Sequence, residues 1–133
     1  MSLNVELLRE SFAAAAENQP QLTNRFYELF FEAHPEVKPM FKSRSGDEQA
    51  RMLQEALVAV MEHLEDADWL TTTLGELGAR HVDYGVTPEM YDWVGAALVG
   101  ALSEAVGDDW SEAHTAAWGE AYGAIKSMAL AGA

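Results

Sequence analysis

Apolar residues recur at three- and four-residue intervals along nearly the whole chain, and no alternating strand pattern competes with them. A first helix is predicted to follow Ser2, with Leu8, Phe12 and Ala15 on one face, and to stop near Asn18-Gln19. Pro20 suits the first turn of a second helix, where its missing N–H costs nothing. That helix carries "RFYELFFEAH" and ends at His34-Pro35, because a residue preceding proline is pushed out of helical backbone angles. A short turn, "PEVKPMF", follows. From Asp47, Leu53, Leu57, Val60 and Leu64 mark a third helix, and the same spacing extends the stripe back to Gln49, so that an amide heads an apolar row.

A fourth helix is predicted after Asp66 or Asp68, running through Leu70, Leu74, Leu77 and His81. Its threonine run and its glycines, Gly75 and Gly78, lower its intrinsic stability, so it needs support from outside. Thr87-Pro88-Glu89 is a start signal, a capping hydroxyl followed by proline and an acid. Tyr91, Val94, Leu98, Leu102 and Ala105 line the fifth helix as far as Gly107, and a last helix from about Ser111 carries Trp118, Tyr122, Ile125 and Ala129 along one side. The expected class is therefore all-α, with long helices at both ends, short ones in the middle and a single domain over residues 1–133.

Composition narrows the function. Eight basic residues against twenty-two acidic ones give a formal charge of −14, a field that repels nucleic acid and anionic membranes. No run approaches the ~20 apolar residues that span a bilayer, and "MSLNVELLRESF" lacks the basic start and apolar block of a secretion signal, so a cytoplasmic protein is expected. The absence of cysteine removes disulfides, thiolate ligands and sulfur-linked tetrapyrroles. Lys38, Lys42, Arg44 and Arg51 fall in one window of an otherwise acidic chain, which could hold an anion or be a solvated loop. Phe26, Tyr27, Phe30 and Phe31 make an aromatic face that suits either crossing helices or a large flat partner.

Of the four histidines, His34 sits where a helix ends, and His63 and His114 read as surface or rim residues. His81 is in line with Leu70, Leu74 and Leu77, so its imidazole points the same way as the leucines. One ring nitrogen can bond the carbonyl of Leu77, four residues back, where the helix end leaves carbonyls unpaired. The other then faces the interior. Spacing alone allows a core histidine satisfied by protein or an axial metal ligand, with the first ahead. No second ligand lies at zinc-like spacing, so a metal here must bring its own equatorial ligands.

Taken together, "FYELFFEAHPEVKPMF", Gln49 with Leu53 one turn on, "LGARHVDYGVTPEMYDWVG" and "AWGEAYG" resemble, in order and spacing, a single-domain bacterial globin similar to the haem domain of flavohaemoglobins, from about Leu7 to Leu130. The resemblance implies a globin fold, a helical sandwich around a pocket for haem b (iron protoporphyrin IX), with His81 as proximal iron ligand. It implies that Phe41 stacks on the haem, that Tyr27 and Gln49 stabilise a gas on the opposite side, and that Leu53 shapes the ligand cavity. Leu77, Val86, Tyr91 and Val94 fall on the proximal side, and Arg80, with Lys42, Arg44 and Arg51, would pair with the propionates.

The implied function is reversible binding of O2, and of NO or CO, by a monomer or weak homodimer, with no residue assigned to catalysis. An amide is a poor iron ligand, so Gln49 implies a five-coordinate ferrous state. The enzymatic alternative is nitric oxide dioxygenation with electrons from a separate reductase, since no flavin domain follows. The sequence departs from the flavohaemoglobin pattern where a glutamate late in the final helix would join the proximal histidine and tyrosine: the position falls at about Ala133. A helical module that binds another protein through the aromatic face is a third reading.

Overall fold

In the computed structural model, residues 4–41, 46–83 and 85–132 are described, Phe41 without its side chain. Among these, six α-helices follow one another: α1 (Val5–Asn18), α2 (Leu22–Ala33), α3 (Gly46–Glu62), α4 (Ala67–Asp83), α5 (Pro88–Val106) and α6 (Glu112–Gly132). A 3-10 segment, Pro35–Phe41, joins α2 towards α3. The all-α expectation holds, and no helix is long and apolar enough to cross a membrane among the described residues.

The lengths differ from expectation. At 17 residues each, α3 and α4 are longer than α1 with 14 and α2 with 12, so the middle helices are not the short ones. The reason lies in the stripes, since Gln49 to Leu64 and Leu70 to His81 each sustain helical spacing over several turns. Pro20 precedes α2 instead of opening it: Gln19 Oε1 accepts from the Gln21 N–H at 3.0 Å, which makes a local turn, and the helix starts at Leu22. "PEVKPMF" is a 3-10 segment, which lets Val37 reach the core at 1% exposure despite two prolines.

Helix ends are set by local chemistry. Asn4 Oδ1 accepts from Leu7 N–H at 3.2 Å and caps α1. His34 caps the end of α2, where the following proline stops the helix. The core is built from the predicted faces: Leu8 and Ala15 from α1, Phe26 and Phe30 from α2, Leu57 and Val60 from α3, Leu70 and Leu74 from α4, Leu98 and Leu102 from α5, and Trp118 and Ala129 from α6 are all buried.

Packing is uneven in a way that matters for the site. α4 lies chiefly on α6, α2 on α5 and α3, and α1 on α5 and α6. Although consecutive, α3 and α4 are at most marginally in contact among the described residues. At their corner, His63 stacks on Trp69 with ring centroids 3.9 Å apart, and Arg9 Nε donates to the Met61 carbonyl at 2.8 Å. The two helices therefore diverge from a pinned corner, leaving a crevice between them.

Candidate functional site between the third, fourth and fifth helices

Local sequence explains how α4 presents His81. The helix ends in a reversal in which Gly85 adopts φ 87°, a left-handed angle that glycine takes without steric cost. Two bonds close the reversal: the Val86 N–H donates to the His81 carbonyl at 2.9 Å, and the Gly85 N–H to the Val82 carbonyl at 3.0 Å. That paired arrangement satisfies carbonyls that a helix end leaves open. Both the backbone and the ring of His81 are held, because Nδ1 lies 2.7 Å from the Leu77 carbonyl oxygen. A carbonyl only accepts, so this contact puts the proton on Nδ1 and makes Nε2 the basic nitrogen.

His81 and Leu77 are half-buried, as are Val86 and Val94 beyond the reversal. Tyr91 of α5 is buried, and its ring centroid lies 6.1 Å from that of His81 with planes 28° apart. Burial raises the Tyr91 hydroxyl above its ordinary pKa. Behind it, the Tyr122 hydroxyl of α6 donates to the Tyr91 backbone carbonyl. Tyr122 fits there because residue 95 is glycine: a Cβ at Gly95 would come within 2.7 Å of the Tyr122 ring.

Across the crevice, Tyr27 is half-buried on α2, with its ring 4.9 Å from Phe26 in an edge-on arrangement and 5.7 Å from Phe31. Burial pushes its hydroxyl up to about 12; like any phenol it is protonated at neutral pH and can donate. Gln49 and Leu53 are half-buried on α3. A cavity of about 460 Å³ is lined by Tyr27 and Phe31 together with Asn24, Glu28, Glu32, Lys38 and Gly46. Of the residues named from sequence, it takes in Tyr27, Phe31 and Lys38 and not His81.

The remaining expectations divide. Arg80 and Arg51 are exposed, and Lys38 Nζ sits 5.9 Å from the Phe31 ring centroid. Lys42, Arg44, Ala133 and the Phe41 side chain lie outside the described residues. His34 is the helix terminus expected, stacked on Trp93 at 4.1 Å. His63 and His114 are half-buried, as rim residues would be, each against a tryptophan.

Comparison with known proteins decides the family. The family model for globins matches residues 24–129. The chain belongs to the globin family. Over 129 residues this globin is 30% identical to a flavohemoprotein of Rhizobium meliloti, and over 127 residues it is 34% identical to one of Rhodopirellula baltica. Those matches cover 96% and 93% of this chain but 32% and 31% of the relatives, so the globin spans about a third of their length. Among solved structures, a bacterial globin from Campylobacter jejuni is 30% identical and superposes with a TM-score of 0.79, covering 96% of this chain and 92% of that one.

The globin family implies haem. The residues present fit that group: the His81 ring is held by Nδ1 on the Leu77 carbonyl, and half-buried apolar residues stand on three helices, Leu53 on α3, Leu77 on α4 and Val94 on α5. Sequence reasoning missed the Ser11–Trp118 hydrogen bond and the part played by Gly78, since both depend on which helices meet.

Proposed function

We propose that this globin holds haem b through Nε2 of His81 and reversibly takes up a diatomic gas, O2 foremost, on the face towards α2 and α3. The observation that carries this reading is the 2.7 Å contact between His81 Nδ1 and the Leu77 carbonyl. An imidazole whose second nitrogen is fixed by a backbone carbonyl is oriented for metal. Haem, when bound, would supply the iron to which a diatomic gas binds.

The chain's own residues do the rest. Leu53, Leu77, Val86 and Val94 would cover the flat faces of the group and keep water away. Arg80 and Arg51, both exposed, would pair with its propionates. Tyr27 and Gln49 donate hydrogen bonds to the polarised gas, and bonds of this charge-assisted kind contribute ~1.5–3 kcal/mol, which slows release roughly ten- to hundredfold. Gln49, whose amide is a poor iron ligand, would leave the gas-binding side open and act as a hydrogen-bond donor there.

Absorption spectra of the purified protein in its ferric, ferrous and carbonyl forms test this reading. A Soret band that shifts on reduction and again with carbon monoxide is expected. A protein that takes up no haem on reconstitution, or a ferrous spectrum of the low-spin bis-histidine type, refutes it.

A further inference from the structure

Where α4 crosses α6, two backbones meet almost without side chains between them. At Gly78 a Cβ would lie 2.6 Å from the carbonyl carbon of Ala129 and 3.0 Å from its Cα, with the carbonyl oxygen of Ala129 closer still. One turn earlier the relation is reversed. At Gly75 a Cβ would lie 3.5 Å from the Cα of Gly132, an ordinary contact, whereas a Cβ on Gly132 would lie 2.6 Å from the carbonyl carbon of Gly75. Helix axes usually pass ~8–10 Å apart, the distance being set by the side chains at the contact. Here the hydrogen of Gly78 sets it.

That crossing has a direct mechanical line to His81. Gly78 precedes it by three residues, ~4.5 Å along the axis, with no break in the helix between them. The ring is tied by Nδ1 to the carbonyl of Leu77, the neighbour of Gly78, and the His81 carbonyl is tied to Val86 N–H. α6 is the principal neighbour of α4, and α3 gives it at most marginal support. A displacement at Gly78 therefore has nowhere to relax before it reaches the imidazole.

We propose that Gly78, through its backbone contact with Ala129, is a positioning residue that fixes the height of His81 against the haem iron and so tunes the iron–histidine bond. The proposal rests on His81 being the iron ligand, as argued above. It gives Gly78 a role that its low helix propensity alone does not explain.

The two glycines supply their own control, because Gly→Ala raises helix propensity equally at both while only one position lacks room. The test compares Gly75→Ala and Gly78→Ala in the haem-loaded, ferrous, gas-free protein, reading the iron–histidine stretching band by resonance Raman. Gly75→Ala should keep the wild-type band. Gly78→Ala should shift it and change the gas dissociation rate on the order of tenfold, as small misplacements of a reacting group commonly do. A haem-loaded Gly78→Ala protein with the wild-type band overturns the proposal, whatever its thermal midpoint.

Should Gly78→Ala fail to fold, Gly132→Ala probes the same seam from α6, six residues along α4 from His81 at its contact with Gly75. A smaller band shift there supports the proposal and an unmoved band overturns it. Failure of the wild-type chain to bind haem is a separate result, which removes the ligand assignment itself.

Discussion

The imidazole of His81 is oriented by Leu77, one turn earlier on the same helix: Nδ1 lies 2.7 Å from that carbonyl oxygen. The pairing joins the helix end to the ring, because a carbonyl near the C-terminus of α4 is also the group that selects the tautomer. A histidine closing this apolar stripe thus presents Nε2 with its lone pair, which a surface histidine with a mobile ring would not do.

Replacing His81 with alanine should abolish stable haem uptake while leaving the helices in place, since the side chain is only half-buried and its core neighbours Leu70 and Leu74 are untouched. Far-ultraviolet circular dichroism should match wild type and the Soret band should be lost. Glycine at the same position should regain the band on addition of free imidazole. Full Soret absorbance in the alanine variant would remove the ligand assignment.

On the opposite side, Tyr27→Phe deletes one hydroxyl and keeps the ring that packs on Phe26 and Phe31. Losing a charge-assisted hydrogen bond should speed oxygen release roughly ten- to hundredfold, measured by stopped-flow displacement with carbon monoxide. Gln49→Leu should act in the same direction. A Tyr27→Phe rate within a factor of two of wild type would assign the donor role elsewhere.

How far such roles can be read from sequence depends on whether they are local. The stripe Leu70-Leu74-Leu77-His81 and the restart at Thr87-Pro88 depend on spacing within one helix, and both appear in the structure as read. Pro20 misled because a side-chain turn at Gln19 competes with helix initiation, a choice that propensity does not resolve. Gly78 carried only half its meaning: the sequence showed a weak helix in need of support, but not that the support is a helix from the far end of the chain lying against the gap. His63 is a rim residue as read, but its stacking on Trp69 was hidden because the partner lies across a corner.

Tyrosine burial makes the protein sensitive to alkali. The folded pKa of Tyr27 is pushed up to about 12, and those of Tyr91 and Tyr122 are also raised, all chiefly by desolvation. Because the folded state holds these protons more tightly than the unfolded chain, their contribution is complete below pH ~10 and is lost as pH rises towards the folded values, at ~1.4 kcal/mol per pH unit for each group between its two pKa values. Urea unfolding should therefore give a falling stability from pH ~10 upward, and Tyr122→Phe should flatten that fall while lowering stability near neutrality through the lost bond to the Tyr91 carbonyl. An unchanged alkaline slope in Tyr122→Phe would show that its hydroxyl is solvated.

Ser11 offers a test of the fold apart from the site. Its hydroxyl accepts from Trp118 Nε1 at 2.9 Å and donates to the Leu7 carbonyl at 2.7 Å, with Ser11 at 3% and Trp118 at 2% exposure. A hydroxyl is suited to this position because it can do both at once, joining an indole that only donates to a carbonyl that only accepts. Ser11→Ala leaves the indole N–H buried without a partner, which should cost ~1–3 kcal/mol in urea unfolding. Trp118→Phe removes the donor as well as some packing, so the double variant should be less destabilised than the sum of the two single ones, by a coupling of ~0.5–3 kcal/mol. Strict additivity would mean that water replaces the hydroxyl, and that the contact between α1 and α6 is held by packing alone.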